Sequence, residues 1–119
     1  MSAAIILFAH GSRDPLWRRP LERVAERIRT QAPDTRVVCA YLELTEPDLI
    51  SAASALIADG VKAIRIVPMF LGVGKHARED LPVLFSELET AHPGVRFTLQ
   101  PAVGEDERLV NLLSHIALN

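Results

Sequence analysis

One stretch of the sequence restricts the possible folds more than any other, the segment Ile64–Asp80. It opens with an apolar run, Ile64–Leu71, which only Arg65 and Pro68 interrupt. A short apolar run bounded by turn residues is typical of a strand that is buried on both faces of a parallel sheet. A loop with two glycines follows at 72–76, and apolar residues then recur at helical spacing. The segment therefore predicts a strand, a loop and a helix of an α/β sheet.

The same alternation of strand and helix patterns extends along the whole chain. Apolar runs at 3–9 and 36–42 predict the first and second strands, alternating apolar and polar residues at 95–100 predict the fourth, and a helical pattern follows each of them. Four such pairs predict an α/β fold, a four-stranded parallel sheet with helices on both faces. We predict the doubly wound strand order 2-1-3-4 and a single domain over residues 1–119, a length that fits one small domain.

Turn and capping residues indicate where the first two crossover helices begin. The pair Asp14–Pro15 is typical of a helix start, but Pro20 then requires either a kink or a later start near Arg19. Thr45 is predicted to cap the second helix, with Asp48 as the acidic residue three positions later.

The last helix is predicted to begin at the acidic segment 104–107, because negative side chains are favoured at the positive end of the helix dipole. Its apolar residues recur at helical spacing and predict one stripe. We expect that stripe to be buried against the rest of the domain. Its members are Leu109, Val110, Leu112, Leu113 and Ile116.

Composition excludes several classes of partner. The formal net charge of −2 provides no basic field for a nucleic acid. No apolar run approaches the ~18 residues that a membrane-spanning helix needs, and no basic residues precede the apolar stretch at 3–9, as they would in a secretory signal. We therefore expect neither a nucleic acid nor a membrane as a partner, and the cytoplasm as the compartment.

Three polar side chains follow three strands of the predicted sheet, namely His10, Glu43 and His76. Ligands of α/β sheets bind at the carboxyl ends of the strands, and the order 2-1-3-4 makes strands one and three neighbours there. Two imidazoles and a carboxylate are suited to an open metal site. Taken singly, His10 is equally explained by a hydrogen bond to a loop, and Glu43 by solvation at a strand end. Their common edge favours a metal role for the two histidines more than for Glu43, whereas His92 and His115 lie elsewhere and are predicted to be structural.

The residues around the two histidines indicate how a ligand is held. Arg13, Lys75 and Arg78 either are solvated charges or bind the carboxylates of an anionic substrate. The loop lacks the P-loop pattern, because His76 follows Lys75 where that pattern has serine or threonine. Nucleotide binding is therefore not predicted, and Gly74 is interpreted as allowing the backbone to approach a bulky ligand.

Several short motifs, taken together, resemble one known family. They are AHGSR at 9–13, LEL at 42–44, VPMFL at 67–71 leading to GKH at 74–76, and EDLP at 79–82. They resemble the sirohydrochlorin chelatases of the class II tetrapyrrole chelatases, in the short cobaltochelatase form. One residue departs from the pattern, since many relatives have a small or apolar residue where this chain has Lys75.

The resemblance implies a flavodoxin-like chelatase domain that inserts a divalent metal into sirohydrochlorin without a nucleotide or a prosthetic group. Co²⁺ is the expected metal, and Ni²⁺ or Fe²⁺ are alternatives. The resemblance assigns metal ligation to His10 and His76 and a helper role in catalysis to Glu43. Long relatives hold two such domains, so it also implies that two copies of this chain face each other as a homodimer. The predicted substrate-binding residues are Ser12, Arg13, Gly74, Lys75 and Arg78.

Two other functions stay open at this point. A histidine phosphatase also has a His-Gly pair after its first strand, but that family has an arginine directly before the histidine, where this chain has Ala9. A non-catalytic carrier of a metal or a tetrapyrrole would bind both ligands without turnover. The sequence leaves open which metal is used, and whether the product feeds the biosynthesis of cobalamin, sirohaem or a nickel cofactor.

Overall fold

Strands and helices alternate along the chain in the computed structural model, which describes residues 3–119. A 3₁₀ turn, Val103–Glu105, precedes the last helix. The elements in chain order are β1 (Ala3–Ala9), α1 (Arg19–Gln31), β2 (Arg36–Tyr41), α2 (Leu49–Ala58), β3 (Ala63–Pro68), α3 (Lys75–Ala91), β4 (Arg96–Leu99) and α4 (Glu107–Leu118).

The four strands form one parallel sheet in the order β2-β1-β3-β4, which confirms the predicted topology. In register, Phe8 of β1 lies between Ala40 of β2 and Pro68 of β3. The carboxyl ends of these three strands are therefore level with one another. The segments that follow them meet at one edge of the sheet.

The larger core lies between the sheet and the helices α2 and α3. Side chains of a strand alternate between the two faces, and Ile6, Phe8 and Ile66 point into this core, where they are fully buried. Leu56 of α2 and Leu88 of α3 meet them there. Each such side chain contributes about 1.5–3 kcal/mol to folding, so this core fixes the sheet whose edge carries the predicted site.

The helix α1 covers the opposite face of the sheet, where Leu21 and Ala25 pack against Leu7 and Val37. Helices thus lie on both faces, as predicted. The helix begins at Arg19, the later of the two predicted starts, so Pro20 falls in the first turn, where its missing N–H costs no hydrogen bond. No kink is needed.

Two details of the predicted elements are wrong. The helix α2 is capped by Asp48, whose side chain accepts a hydrogen bond from Ser51 N at 2.8 Å, and not by Thr45. Hydrogen bonding from the backbone and the side chain of Ser51 lowers the pKa of Asp48. The strand β3 ends at Pro68, three residues before the end of the apolar run, because Met69–Leu71 belong to the turn that leaves the sheet.

The predicted burial of the last helix is also wrong. Val110, Leu112, Leu113 and Ile116 are 39–62% exposed, and α4 contains no buried residue. The helix adjoins the turn at 103–105 and does not lie on the sheet. Helical periodicity indicates that a face requires a partner, but it does not indicate that the partner belongs to the same chain. Among the described residues, none of the helices has the length and apolarity to cross a bilayer.

Candidate functional site

His10 is the first residue after β1 and lies exposed at the carboxyl edge of the sheet. Its ring centroid is 4.4 Å from that of Phe70, which follows β3. Phe70 is itself buried and packs edge-on against Phe8, with ring centroids 5.9 Å apart. The imidazole therefore rests on the core on one side and is accessible on the other.

Hydrogen bonds tie the segment after His10 to the segment after β2. Glu43 N donates to His10 O at 2.9 Å. Ser12 N donates to Thr45 Oγ1 at 2.9 Å, and the same hydroxyl donates to Ser12 O at 2.8 Å. A threonine hydroxyl has one proton to donate and lone pairs to accept, so Thr45 satisfies both backbone groups of Ser12. These bonds bring His10 and Glu43 to one corner of the sheet edge, as predicted.

Gly11 makes this corner possible. Its φ is +102°, and a Cβ built on it would lie 1.7 Å from Glu43 O. No side chain fits between the two segments, so the glycine is required by their close approach. Leu44 also has a positive φ of 64°, which is unfavourable for a bulky residue and costs on the order of 1 kcal/mol. The corner is therefore a tightly determined backbone arrangement.

His76 is held differently. It is the second residue of α3, after the N-terminal cap Gly74, so the prediction that it lies in a loop is wrong. Its side chain is 78% exposed, and Nε2 lies 2.9 Å from Asp80 Oδ2, one helical turn further on. An exposed pair of this kind contributes about 0.5 kcal/mol or less. The His76 ring is consequently only weakly restrained.

The predicted substrate-binding residues divide into two groups. Arg78 donates from Nη1 to Val73 O at 2.6 Å and from its backbone N to Gly74 O at 3.0 Å, so its side chain supports the segment before His76. Arg13 and Lys75 are exposed and, among residues 3–119, belong to no ion pair. Their charges are available to an anionic ligand at this edge.

The sequence did not predict two residues that support the site. Thr45, which is predicted to cap a helix, instead joins the segments after β1 and β2 through its two hydrogen bonds with Ser12. Gly104 donates its N–H to Phe70 O at 3.0 Å, and a Cβ there would lie 1.7 Å from Leu71 O. The segment before α4 thus fixes the turn that supports the His10 ring. A glycine beside a helix start was the available signal, but no short-range pattern indicates which distant carbonyl it approaches.

The three predicted chemical groups share the edge without forming a closed cage. Within residues 3–119, no group of three or more His, Cys, Asp or Glu side chains is arranged to hold a metal ion. His10 and Glu43 occupy one corner, and His76 stands on the first turn of α3. Imidazole suits the divalent metals of the first transition row. The arrangement therefore offers separate ligands at an open edge, where a wide second ligand has access.

The edge strand β2 carries two further titratable groups, and both stay neutral. Burial, followed by the neighbouring Cys39 and Glu22, raises the pKa of Tyr41 to about 12. Burial likewise raises the pKa of the Cys39 thiol. Because the thiolate is the reactive form of cysteine, this side chain is not a nucleophile at neutral pH. Neither group therefore adds a charged or nucleophilic side chain to this part of the sheet at neutral pH.

Comparisons with known proteins identify the family and the fold of this chain. Residues 4–117 match the family model CbiX. A protein of Methanococcus aeolicus named sirohydrochlorin cobaltochelatase is 35% identical over 72% of this chain, and the match spans 60% of that relative's length. The crystal structure of a cobalamin-biosynthesis CbiX protein from Marinobacter aquaeolei VT8 has a TM-score of 0.83 and 34% identity, covering 97% of this chain and 93% of that one.

A second solved structure is informative because of its length. The sirohydrochlorin chelatase SirB from Bacillus subtilis subspecies spizizenii, in complex with cobalt, has a TM-score of 0.80 and 26% identity. The likeness covers 97% of this chain but 49% of SirB. This domain therefore corresponds to about one half of that protein. The family match over residues 4–117, together with these relatives, shows that the chain belongs to the CbiX family.

Proposed function

We propose that the protein inserts a divalent metal ion, with Co²⁺ as the first candidate, into sirohydrochlorin. The observation that carries this proposal is the position of His10 and His76, which follow the adjacent strands β1 and β3 at the open edge of the sheet. The fold aligns over 97% of its length with a sirohydrochlorin chelatase that binds cobalt. The activity is offered for a chain with a single chelatase-like domain, which spans about half to three fifths of several of these relatives.

The reaction requires two operations at one place. The metal ion exchanges bound waters for ring nitrogens, and the tetrapyrrole releases two N–H protons, so that M²⁺ and the free ring give the metallated ring and two H⁺. Neutral imidazoles bind Co²⁺, Ni²⁺ and Fe²⁺, and imidazole also accepts protons near neutral pH. His10, packed on Phe70, presents a fixed ligand. His76 supplies the second ligand from the exposed start of α3.

Glu43 acts as a proton acceptor in this scheme. Its backbone N–H is bonded to His10 O, so its carboxylate and the His10 imidazole leave the same corner. A carboxylate so placed takes a pyrrole proton and passes it to solvent, since Glu43 is exposed. Metal binding and proton removal are thus assigned to neighbouring side chains.

Positive charges around the edge bind the carboxylates of the substrate. Arg13, three residues after His10, and Lys75, directly before His76, are exposed, and charge-assisted hydrogen bonds to carboxylates are stronger than neutral ones. Gly74 leaves open space for a flat ring, because a Cβ built there meets no atom within 4 Å. Ser12 and Arg78 maintain the two backbone segments that border the ligand.

The working unit proposed here is a homodimer. A tetrapyrrole is wide and flat, and ligand sites normally bury most of their ligand. One domain of this size offers one wall. SirB is about twice as long as the part that this chain matches, which supports a second wall from a second copy. The compartment proposed is the cytoplasm, and no prosthetic group takes part.

The test is incubation of the protein with sirohydrochlorin and Co²⁺, Ni²⁺ or Fe²⁺ in turn, followed by the absorbance change of the ring on metallation. We expect Co²⁺ insertion well above the protein-free rate, and a similar rate for His92→Ala, which alters a histidine at the far end of α3. Binding of both ligands without any acceleration would contradict the proposal and favour a carrier. Hydrolysis of a generic phosphoester would favour a phosphatase.

A dilution series tests the homodimer. Sedimentation velocity gives the fraction of dimer at each protein concentration, and the insertion rate per chain is measured on the same samples. We expect the rate per chain to fall together with the dimer fraction. A monomer with full activity per chain at every dilution would contradict a shared site.

A further inference from the structure

The helix α4 presents an apolar face that has no partner among the described residues. Leu112 is 56% exposed, Ile116 is 62% exposed and Leu118 is 85% exposed. Leu112 and Ile116 lie with Leu109 and Leu113 at helical spacing on one side of the helix, whereas Leu118 lies on the other side. An isolated helix of 12 residues is marginal in water. The stability of α4 must therefore come from whatever covers this face.

A second uncovered surface lies on the sheet. Ile64 and Ile66 point into the core beneath α2 and α3, so Arg65 and Val67 of β3 point to the opposite face. On that face α1 packs mainly against β2, and Val67 and Met69 border the cluster beneath α1 without being fully covered by it. Val67 and Met69 are half-exposed there, and Thr98, which is level with Arg65 on β4, is exposed. The described part of the chain contains no helix over β3 and β4 on this side.

We infer that α4 of a second copy of this chain docks on the open face of β3 and β4, and that the two copies exchange their α4 helices reciprocally. This inference rests on the proposed homodimer and specifies the surfaces that form it. The docked helix lies beside α1, where Val24 is 38% exposed. Leu112 and Ile116 cover Val67 and Met69 of the other copy.

The dimensions and the charges of the two surfaces agree. The 12 residues of α4 span about 18 Å, and the six residues of β3 span about 20 Å. Helices of such sheets run antiparallel to the strands. In that direction the C-terminal end of α4, with its partial negative charge, lies near Arg65 in the amino half of β3 and Arg96 at the amino end of β4.

The helix of the same chain does not occupy this opening. Gly104 is held against Phe70 and Leu71, and α4 then extends from the turn at 103–105 without lying on the sheet. The molecule measures 47 × 34 × 28 Å, and its radius of gyration of 14.6 Å exceeds the roughly 13.5 Å typical of 119 residues. A two-fold pair covers both helices and both open faces at once, as an isologous interface requires.

Disulfide trapping tests the exchange. In a Cys39→Ala background, Val67→Cys is combined with Leu109→Cys, Leu112→Cys, Leu113→Cys or Ile116→Cys in separate variants. We expect at least one pair to give covalent dimers on mild oxidation, seen on a non-reducing gel. Val83→Cys, on the exposed outer side of α3, replaces Val67→Cys as the matched control and should give none. Absence of trapping in all four pairs, or equal trapping by an α4 cysteine alone, would overturn the exchange.

Sedimentation of charged variants gives a second readout. We expect Leu112→Arg and Val67→Glu each to convert the dimer into a monomer, and Val83→Glu to leave it dimeric. A dimer lost in Leu112→Arg and kept in Val67→Glu would overturn the exchange in favour of pairing between the two α4 helices. Trapped dimers that do not insert metal would support the exchange and contradict the chelatase proposal. A monomeric wild type with full insertion activity would overturn the exchange and leave the chelatase intact.

Discussion

The two histidines assigned to the metal stand in contrasting surroundings. His10 belongs to a corner in which Gly11, Ser12 and Thr45 fix the backbone through close approach and hydrogen bonds. His76 stands on an exposed helical turn, restrained by one surface pair. One half of the proposed ligand set is thus pre-arranged and the other half is open.

The difference between the two regions is a division of tasks. A ligand whose backbone is fixed defines where the metal sits. A ligand on an exposed turn leaves a path for the tetrapyrrole and for the waters that the metal releases. Substitutions that break the backbone contacts of the fixed corner should therefore affect folding and activity together, whereas substitutions of exposed side chains should affect activity with little effect on folding.

The largest effect is expected from Gly11→Ala. The new Cβ would meet Glu43 O at 1.7 Å in a backbone with φ of +102°, so either the corner opens or the strain remains. We expect a loss of about 3 kcal/mol in the free energy of unfolding, measured by chemical denaturation. Gly72→Ala in the open segment, where no atom lies within 4 Å, is the control and should change stability by less than about 0.5 kcal/mol. Equal losses of stability in Gly11→Ala and Gly72→Ala would contradict the difference between the fixed corner and the open segment.

Glu43→Gln removes the negative charge of the Glu43 side chain and leaves the backbone of the corner intact. The backbone bond from Glu43 N to His10 O is retained, so stability should be unchanged. We expect kcat for insertion to fall about 100-fold, as for the loss of a general base, with KM for sirohydrochlorin little altered. Steady-state kinetics measure both constants. An unchanged kcat would mean that Glu43 is only a solvated residue at a strand end.

Thr45→Val removes the two hydrogen bonds that join the segments and keeps the shape of the side chain. Ser12 N and Ser12 O then lack their partner in a half-buried position, which should cost about 1–3 kcal/mol. Insertion should also slow, because His10 and Glu43 lose their fixed relation. The control is Thr90→Val on the exposed face of α3. If Thr45→Val were as stable and as active as Thr90→Val, the corner would not depend on the hydrogen bonds of Thr45.

Asp80→Asn should have the smallest effect. The pair with His76 Nε2 is exposed, so the melting temperature should hardly change. Turnover should fall by no more than about 10-fold, the lower range for partners that orient a metal-binding histidine. A large loss of stability would show that the open segment is held more firmly than the contrast implies.

The sequence predicted the strands and the common edge of His10, Glu43 and His76, because buried strands and strand ends are local patterns, and the sheet order followed from the doubly wound fold type. It did not predict the role of Thr45, because a threonine followed three residues later by an acidic residue is also typical of a helix cap. Only the folded chain brings Ser12 within hydrogen-bonding distance of Thr45. The stripe of α4 was recognised, but its burial was wrong, since periodicity does not identify the partner of a face. Long-range contacts decide both cases.

The most direct test of the account compares three histidine variants. His10→Ala, His76→Ala and His92→Ala are assayed for Co²⁺ binding by its visible absorption bands and for insertion into sirohydrochlorin, with circular dichroism to verify the fold. His10 and His76 are exposed, so the fold should survive both changes. We predict weakened cobalt binding and an insertion rate lowered by more than about 100-fold in the first two variants, and wild-type behaviour for His92→Ala. A folded His76→Ala protein with wild-type binding and rates would contradict the account.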